Sequence, residues 1–118
     1  MFANTLTITI DGVANVLVRV NQDNYGSTYV KKTALDSMTL QFRNSTESQN
    51  GKVAPFDRHN MFFEHIVYAT TTVPEKNYTM SSVMRLSKSS DPAYLDKLAA
   101  GFITLLSAQK TGLIAWES

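Results

Sequence analysis

Apolar and polar residues alternate along most of this chain with the period-two rhythm of β-strands. Leu6, Ile8 and Ile10 are interleaved with Thr5, Thr7 and Thr9, all good strand formers. Asp11-Gly12 supplies a turn, after which Val16, Val18 and Val20 alternate with Leu17 and Arg19, so residues 5–20 predict a β-hairpin. Residues 21–27, made of Asn, Asp, Gln and Gly with few apolar side chains, predict a loop, and 28–33 a short strand carrying Lys31 and Lys32. The clearest strand is 37–43, where Met38, Leu40 and Phe42 point one way and Ser37, Thr39, Gln41 and Arg43 the other. Residues 44–56 predict a flexible connection closed by Pro55, and 60–72 a strand of about ten residues. A tight turn is expected at 73–77 around Pro74. In the strand over 78–87, Met80, Met84 and Leu86 lie on one side and Thr79, Ser81 and Arg85 on the other. Phe62 and Phe63, adjacent on one strand, cannot both enter the same core, so one of them faces a partner chain or a second layer.

The pattern changes at Ser89-Ser90-Asp91-Pro92. Asp91 is a good N-cap, and Pro92 suits the first helical position, where a missing N–H costs nothing. Leu95, Leu98, Phe102, Leu105 and Leu106 then fall at helical spacing on one stripe. Gly101 within that stripe costs about 1 kcal/mol against Ala, which predicts a close approach by another backbone. Lys110-Thr111-Gly112 predicts the helix end with a left-handed cap, and 113–116 a short second helix or turn. Strands first and helices last make an α+β fold: an N-terminal β-hairpin (5–20), an antiparallel sheet (27–88) and two C-terminal helices (91–118) in a single domain, 1–118.

Composition narrows the function. The chain has 118 residues, 43% hydrophobic and 18% charged, with a net charge of +1, which excludes a disordered chain and a histone-like polycation. That balance conceals segregation. Between 27 and 88 there are eight cations (Lys31, Lys32, Arg43, Lys52, Arg58, Lys76, Arg85, Lys88) against five anions, while each flank is slightly acidic. Such an excess fits either an ordinary solvated sheet face or a surface that holds phosphates with Lys and Arg and bases with Thr, Asn, Gln and aromatic rings. No stretch reaches the roughly 18 uninterrupted apolar residues that cross a bilayer, and the first residues carry neither a basic region nor an apolar core, so neither a membrane partner nor a secretory signal is expected.

Catalytic constellations are missing from the pattern. Zero cysteines exclude disulfides, thiol nucleophiles and Cys-ligated metals. His59 and His65 fall on one strand face but roughly 20 Å apart, too far to share zinc. Glu64 and His65 are neighbours that point to opposite faces. Asn44-Ser45-Thr46 and Asn77-Tyr78-Thr79 match the glycosylation sequon, which has no meaning without a secretory route. There is no glycine-rich phosphate loop or nucleophile elbow, so neither an enzyme nor a cofactor is expected. The aromatics Phe56, Phe62, Phe63, Tyr68 and Tyr78 belong to a core or dimer interface, with Tyr68 or Tyr78 stacking on a base as the sharper alternative.

The order of elements, with HIVYATTTVPE at 65–75 and DPAYLDKLAAGFITLL at 91–106, resembles the coat protein of single-stranded RNA bacteriophages (leviviruses) over essentially the whole chain. The resemblance implies an interlocked homodimer in which two sheets join edge to edge into one continuous sheet. Each subunit's helices would cross onto the partner, with Leu95, Leu98, Gly101, Phe102, Leu105 and Leu106 at the dimer interface. It further implies that dimers close into an icosahedral shell around the single-stranded phage RNA, assembled in the cytoplasm of the bacterial host, and that one genomic hairpin is bound to repress translation. In such coats the inward sheet face holds RNA. Carried over by alternation, that face takes Thr39, Gln41 and Arg43 from one strand and Ser81 and Arg85 from the last. Arg58, Asn60 and Tyr68 come from the strand between, since Met61, Phe63 and Val67 make the better core side; Lys31 or Lys32 adds a phosphate contact. This phase turns Glu64 toward RNA, and Val83 occupies the place where several members put a stacking aromatic. Lacking disulfides, the shell is expected to be salt-sensitive. The alternative is a small dimeric nucleic-acid-binding regulator that does not assemble.

Overall fold

The computed structural model describes residues 2–47 and 56–117. Six strands, β1 (Thr5–Ile10), β2 (Val13–Asp23), β3 (Gly26–Lys32), β4 (Asp36–Glu47), β5 (Phe56–Val67) and β6 (Lys76–Ser87), precede one helix, α1 (Pro92–Ile114). The strands form a single antiparallel sheet in the order β1-β2-β3-β4-β5-β6, each paired with its neighbour in sequence. The α+β class stands. No helix among the described residues is long and apolar enough to cross a membrane.

Turn chemistry explains where the strands begin and end. Asp11 and Gly12 both have positive φ (51° and 77°), as a tight two-residue hairpin turn requires, and β1 pairs with β2 from Ile10↔Val13 to Thr5↔Val18. The predicted loop at 21–27 is instead a second hairpin. Asp23 accepts a hydrogen bond from the Tyr25 amide at 2.7 Å, closing the turn that lets Asn21, Gln22 and Asp23 pair with Thr28, Ser27 and Gly26. A bulge between Arg19 and Asn21 absorbs the change of register. The connection predicted at 44–56 is also partly strand: β4 runs on to Glu47 and β5 starts at Phe56, with His59 Nδ1 2.7 Å from Asn44 Oδ1. Polar residues with no strand signal of their own are held there by cross-strand pairing. The remainder of that connection, including Lys52 and Pro55, lies outside the described residues. The later turn falls earlier than predicted, at 70–73, where the Thr70 hydroxyl accepts from the Val73 amide at 3.0 Å; Lys76 and Asn77 already belong to β6.

Pairing assigns the two faces. Leu40 stands opposite Tyr29 on one side and Phe63 on the other, so the core face carries Leu17, Tyr29, Met38 and Leu40, all buried, with Leu6, Ile8, Phe42 and Phe63 packed around them. The sheet curls so that its N-terminal hairpin closes over this face, and the buried Tyr29 hydroxyl is satisfied by the Ala3 carbonyl at 2.6 Å. Buried Asn15 is bonded on both ends of its amide, donating to Ile8 and Val13 carbonyls and accepting from Lys31.

The helix departs from expectation at its far end. Its start is as predicted: Asp91 accepts from the Ala93 amide at 3.0 Å and Pro92 opens the first turn. Only one helix follows, because Gly112 stays helical and the chain does not break there. The left-handed cap lies four residues later, at Trp116 (φ 68°), where Trp116 N–H bonds to Leu113 O and Glu117 N–H to Gly112 O. A Cβ at Gly112 would meet only the far end of the Glu117 side chain, which is free to swing aside. No residue of α1 is buried in the protomer.

Candidate nucleic-acid interface

Among the described residues no second layer packs on the face opposite the core, and the register sets its side chains in rows across β4, β5 and β6. Successive rows read Thr39–Glu64–Thr79, Gln41–Phe62–Ser81, Arg43–Asn60–Val83 and Ser45–Arg58–Arg85. Rows are about 7 Å apart and strands about 5 Å apart, so this array measures about 20 by 10 Å. Seven residues singled out from the sequence, Thr39, Gln41, Arg43, Arg58, Asn60, Ser81 and Arg85, share it.

Two others do not. Lys31 pairs with Met38 and points to the core face, where its ammonium donates to Asn15 Oδ1 at 2.8 Å. Its neighbour Lys32, paired with Ser37, is on the open face instead. Tyr68 lies past the end of β5, its amide bonded to the Leu35 carbonyl at 2.9 Å. Sequence alternation missed Phe62, which occupies the row next to Val83 and adds a half-buried aromatic ring to the open face. The signal was available, since Phe62 has the same parity as Arg58 and Asn60; the adjacent Phe63 disguised it.

Charge is not spread evenly over the array. Arg58 and Arg85 stand directly opposite each other, and Arg43 sits diagonally from Arg58 one row away. Like charges opposed across a ladder repel, so a cluster of this kind favours an anion lying over it. Glu64 marks the other end, between Thr39 and Thr79, which gives the face a basic corner and an acidic one.

Arg43 has an internal partner. Its guanidinium is 2.8 Å from Asp23 on β2, and that ion pair, then the Tyr25 amide, holds the Asp23 carboxyl below the ordinary aspartate range. Asp36 is lowered in the same way by the Thr33 hydroxyl and then by His65, whose Nε2 is 2.8 Å away; Lys88 lowers Asp57 at 2.7 Å. Asn60 Oδ1 is buried without a hydrogen-bond partner, on the open face between Arg43 and Val83.

The histidines are each tied to a different residue, His59 to Asn44 and His65 to Asp36, and no group of three or more metal-ligating side chains occurs among the described residues. The residues expected at a dimer interface all lie on α1. Leu98, Phe102 and Leu105 are exposed in the protomer, Leu95 and Leu106 are half-buried, and nothing lies within 4 Å of where a Gly101 Cβ would be. Only the first turns of α1 approach the sheet, where Tyr94, Leu95 and Leu98 line an open cleft with Phe56, Arg85 and Leu86.

A family model described as phage phiCb5, coat protein, matches residues 3–87. The match spans well over half of the chain and ends with β6, so it takes in the whole sheet. No curated protein matches the chain.

Proposed function

The chain belongs to the phage phiCb5 coat protein family, and from that premise we propose that it dimerises, closes into an icosahedral shell and packages single-stranded phage RNA against its open sheet face. Family membership makes it a structural capsid protein and a component of the virion, with no catalytic role called for. The observation that carries the RNA reading is the division of the sheet. Strand alternation sends most of the apolar residues to the core face and gathers Arg43, Arg58 and Arg85 with Thr39, Gln41, Asn60 and Ser81 on the opposite face, which among the described residues is approached only by the first turns of α1, beside Arg85. Guanidinium groups bind phosphates, and the polar side chains and Phe62 offer hydrogen bonds and a stacking surface to bases. The same face would hold a genomic hairpin in translational repression.

Dimerisation follows from what the protomer leaves uncovered. β6 is the free edge of the sheet, twelve residues long, with no proline and no bulge to block a second strand. Met61, Tyr78, Met80 and Met84 are exposed on the core face of β5 and β6, and Leu98, Phe102 and Leu105 are exposed on α1. Two copies joined at β6 let each helix cover the other's apolar strands. Assembly is expected in the bacterial cytoplasm, where the RNA is made.

The test is expression of the chain alone in bacteria, followed by electron microscopy and absorbance at two ultraviolet wavelengths. Uniform spheres rich in nucleic acid are expected, losing RNA when Arg58→Gln and Arg85→Gln are combined and loosening as salt is raised. An RNA-binding dimer that never forms particles would replace this reading with the non-assembling regulator. A dimer without RNA would remove both.

A further inference from the structure

Arg43 belongs to the open face by register, yet its guanidinium is drawn away from the other two arginines. It crosses β3 to reach Asp23, with Nη1 2.8 Å from Oδ2. The crossing is possible because Gly26 stands opposite Arg43: a Cβ there would lie 3.0 Å from Arg43 Cδ and 2.0 Å from the Phe42 carbonyl oxygen. Asp23 is itself fixed, its other oxygen accepting from the Tyr25 amide at 2.7 Å. On the opposite side of Arg43, one strand away, Asn60 Oδ1 is buried without a donor.

An unpartnered buried acceptor is costly, and a guanidinium with five N–H donors sits on the adjoining strand. Arg43 already spans two inter-strand gaps, about 10 Å, to reach Asp23; Asn60 is one gap of about 5 Å away. In the absence of an anion, turning toward Asn60 brings Arg43 closer to Arg58 and Arg85 and gives up a carboxylate. A phosphate over the arginines reverses both terms.

We propose that Arg43 is a two-position residue, docked on Asp23 when the face is empty and turned onto Asn60 Oδ1 and a backbone phosphate when RNA is bound, so that Asp23 competes with RNA for it. The inference rests on the reading of the open face as the RNA face. Asp23 is then a positioning residue: it keeps Arg43 ordered, removes one positive charge from the empty face and is exchanged for a phosphate on loading.

The experiment measures binding of the full chain to a single-stranded RNA oligomer too short to nucleate a shell, over a series of salt concentrations. Asp23→Asn keeps the turn oxygen but removes the charge. It is expected to bind about three- to fivefold more tightly than the parent, with an unchanged log–log salt slope, because Arg43 contacts phosphate in both bound states. Arg43→Gln should bind more weakly with a shallower slope, and in that background Asp23→Asn should change nothing. Asn60→Leu should reduce the gain from Asp23→Asn. Asp11→Asn, the same charge change at the tip of the first hairpin, controls for net charge. The proposal is overturned if Asp23→Asn binds no better than Asp11→Asn, or if its gain survives without Arg43. Arg58→Gln and Arg85→Gln separate the two levels. If they weaken RNA binding while Asp23→Asn is neutral, only the exchange fails; if they leave it unchanged, the RNA face itself is misassigned.

Discussion

The buried side chains Leu17, Tyr29, Met38 and Leu40 all belong to β2, β3 and β4, whereas no residue of α1 is buried and all but the last two residues of β6 are exposed. Both regions contain long apolar side chains in regular phase, so the contrast is not one of hydrophobic content. It lies in whether the chain supplies its own cover. The N-terminal hairpin curls over β3 and β4 and closes a small core; beyond β5 no further element arrives to close the rest. Four buried apolar side chains among the described residues are few for a domain of this size, and association with a second copy would supply the missing burial. One end of the molecule buries its own apolar side chains and the other leaves them exposed.

Substitutions should separate these roles. Leu17→Ala removes a fully buried side chain and should cost about 3 kcal/mol in urea unfolding, by the same amount at every protein concentration. Phe102→Ala, 61% exposed in the protomer, should loosen the proposed dimer by about 2 kcal/mol, roughly thirtyfold, and shift unfolding only where dimer and monomer exchange. If sedimentation shows the reverse, with Leu17→Ala acting on association and Phe102→Ala on folding, the division of labour is wrong. Asp91→Ala, which removes the helix cap but no core contact, should cost about 1 kcal/mol, seen as earlier loss of helical ellipticity on heating.

The smallest effect is on acid stability. Asp36 titrates below the ordinary aspartate value of 3.8, because the Thr33 hydroxyl and then His65 favour its charged form. A depressed folded-state value means that the stabilisation is fully present above the unfolded value and is lost as the pH falls through the folded one. Stability should therefore be level above about pH 5 and decline in stronger acid. Asp36→Asn should flatten that limb, and an unchanged acid limb would show that the group does not matter.

Where local chemistry decides the structure, it was legible in the residues. Asp11-Gly12 turned where its backbone preferences require, Asp91-Pro92 started the helix, and the parity of Met61 and Phe63 fixed the phase of β5. What escaped needed knowledge of neighbours. Asn21 to Asp23 became strand because β3 lies beside them, although their own side chains favour turns. The helix passed through Gly112 because a glycine is tolerated inside a helix at a cost of only about 1 kcal/mol. Lys31 and Lys32 read alike until the pairing with Met38 and Ser37 sent them to opposite faces. The ion pair between Asp23 and Arg43 spans twenty residues and two strand gaps, and no spacing rule anticipates it.

Each strand pairs with the one made just before it, and this ordering bears on the time course of synthesis. Successive hairpins close over short loops, so the sheet needs little long-range search and can zip up from its first turn. A ribosome releases the N-terminal strands first. Leu17, Tyr29, Met38 and Leu40 are therefore able to collapse while β6 and α1 are still being translated. The end with the exposed apolar side chains emerges last, onto a body that has already taken shape. Were two copies to pair at β6 as proposed, nascent chains on neighbouring ribosomes would meet with their N-terminal sheets already formed, and the schedule itself would discourage tangling.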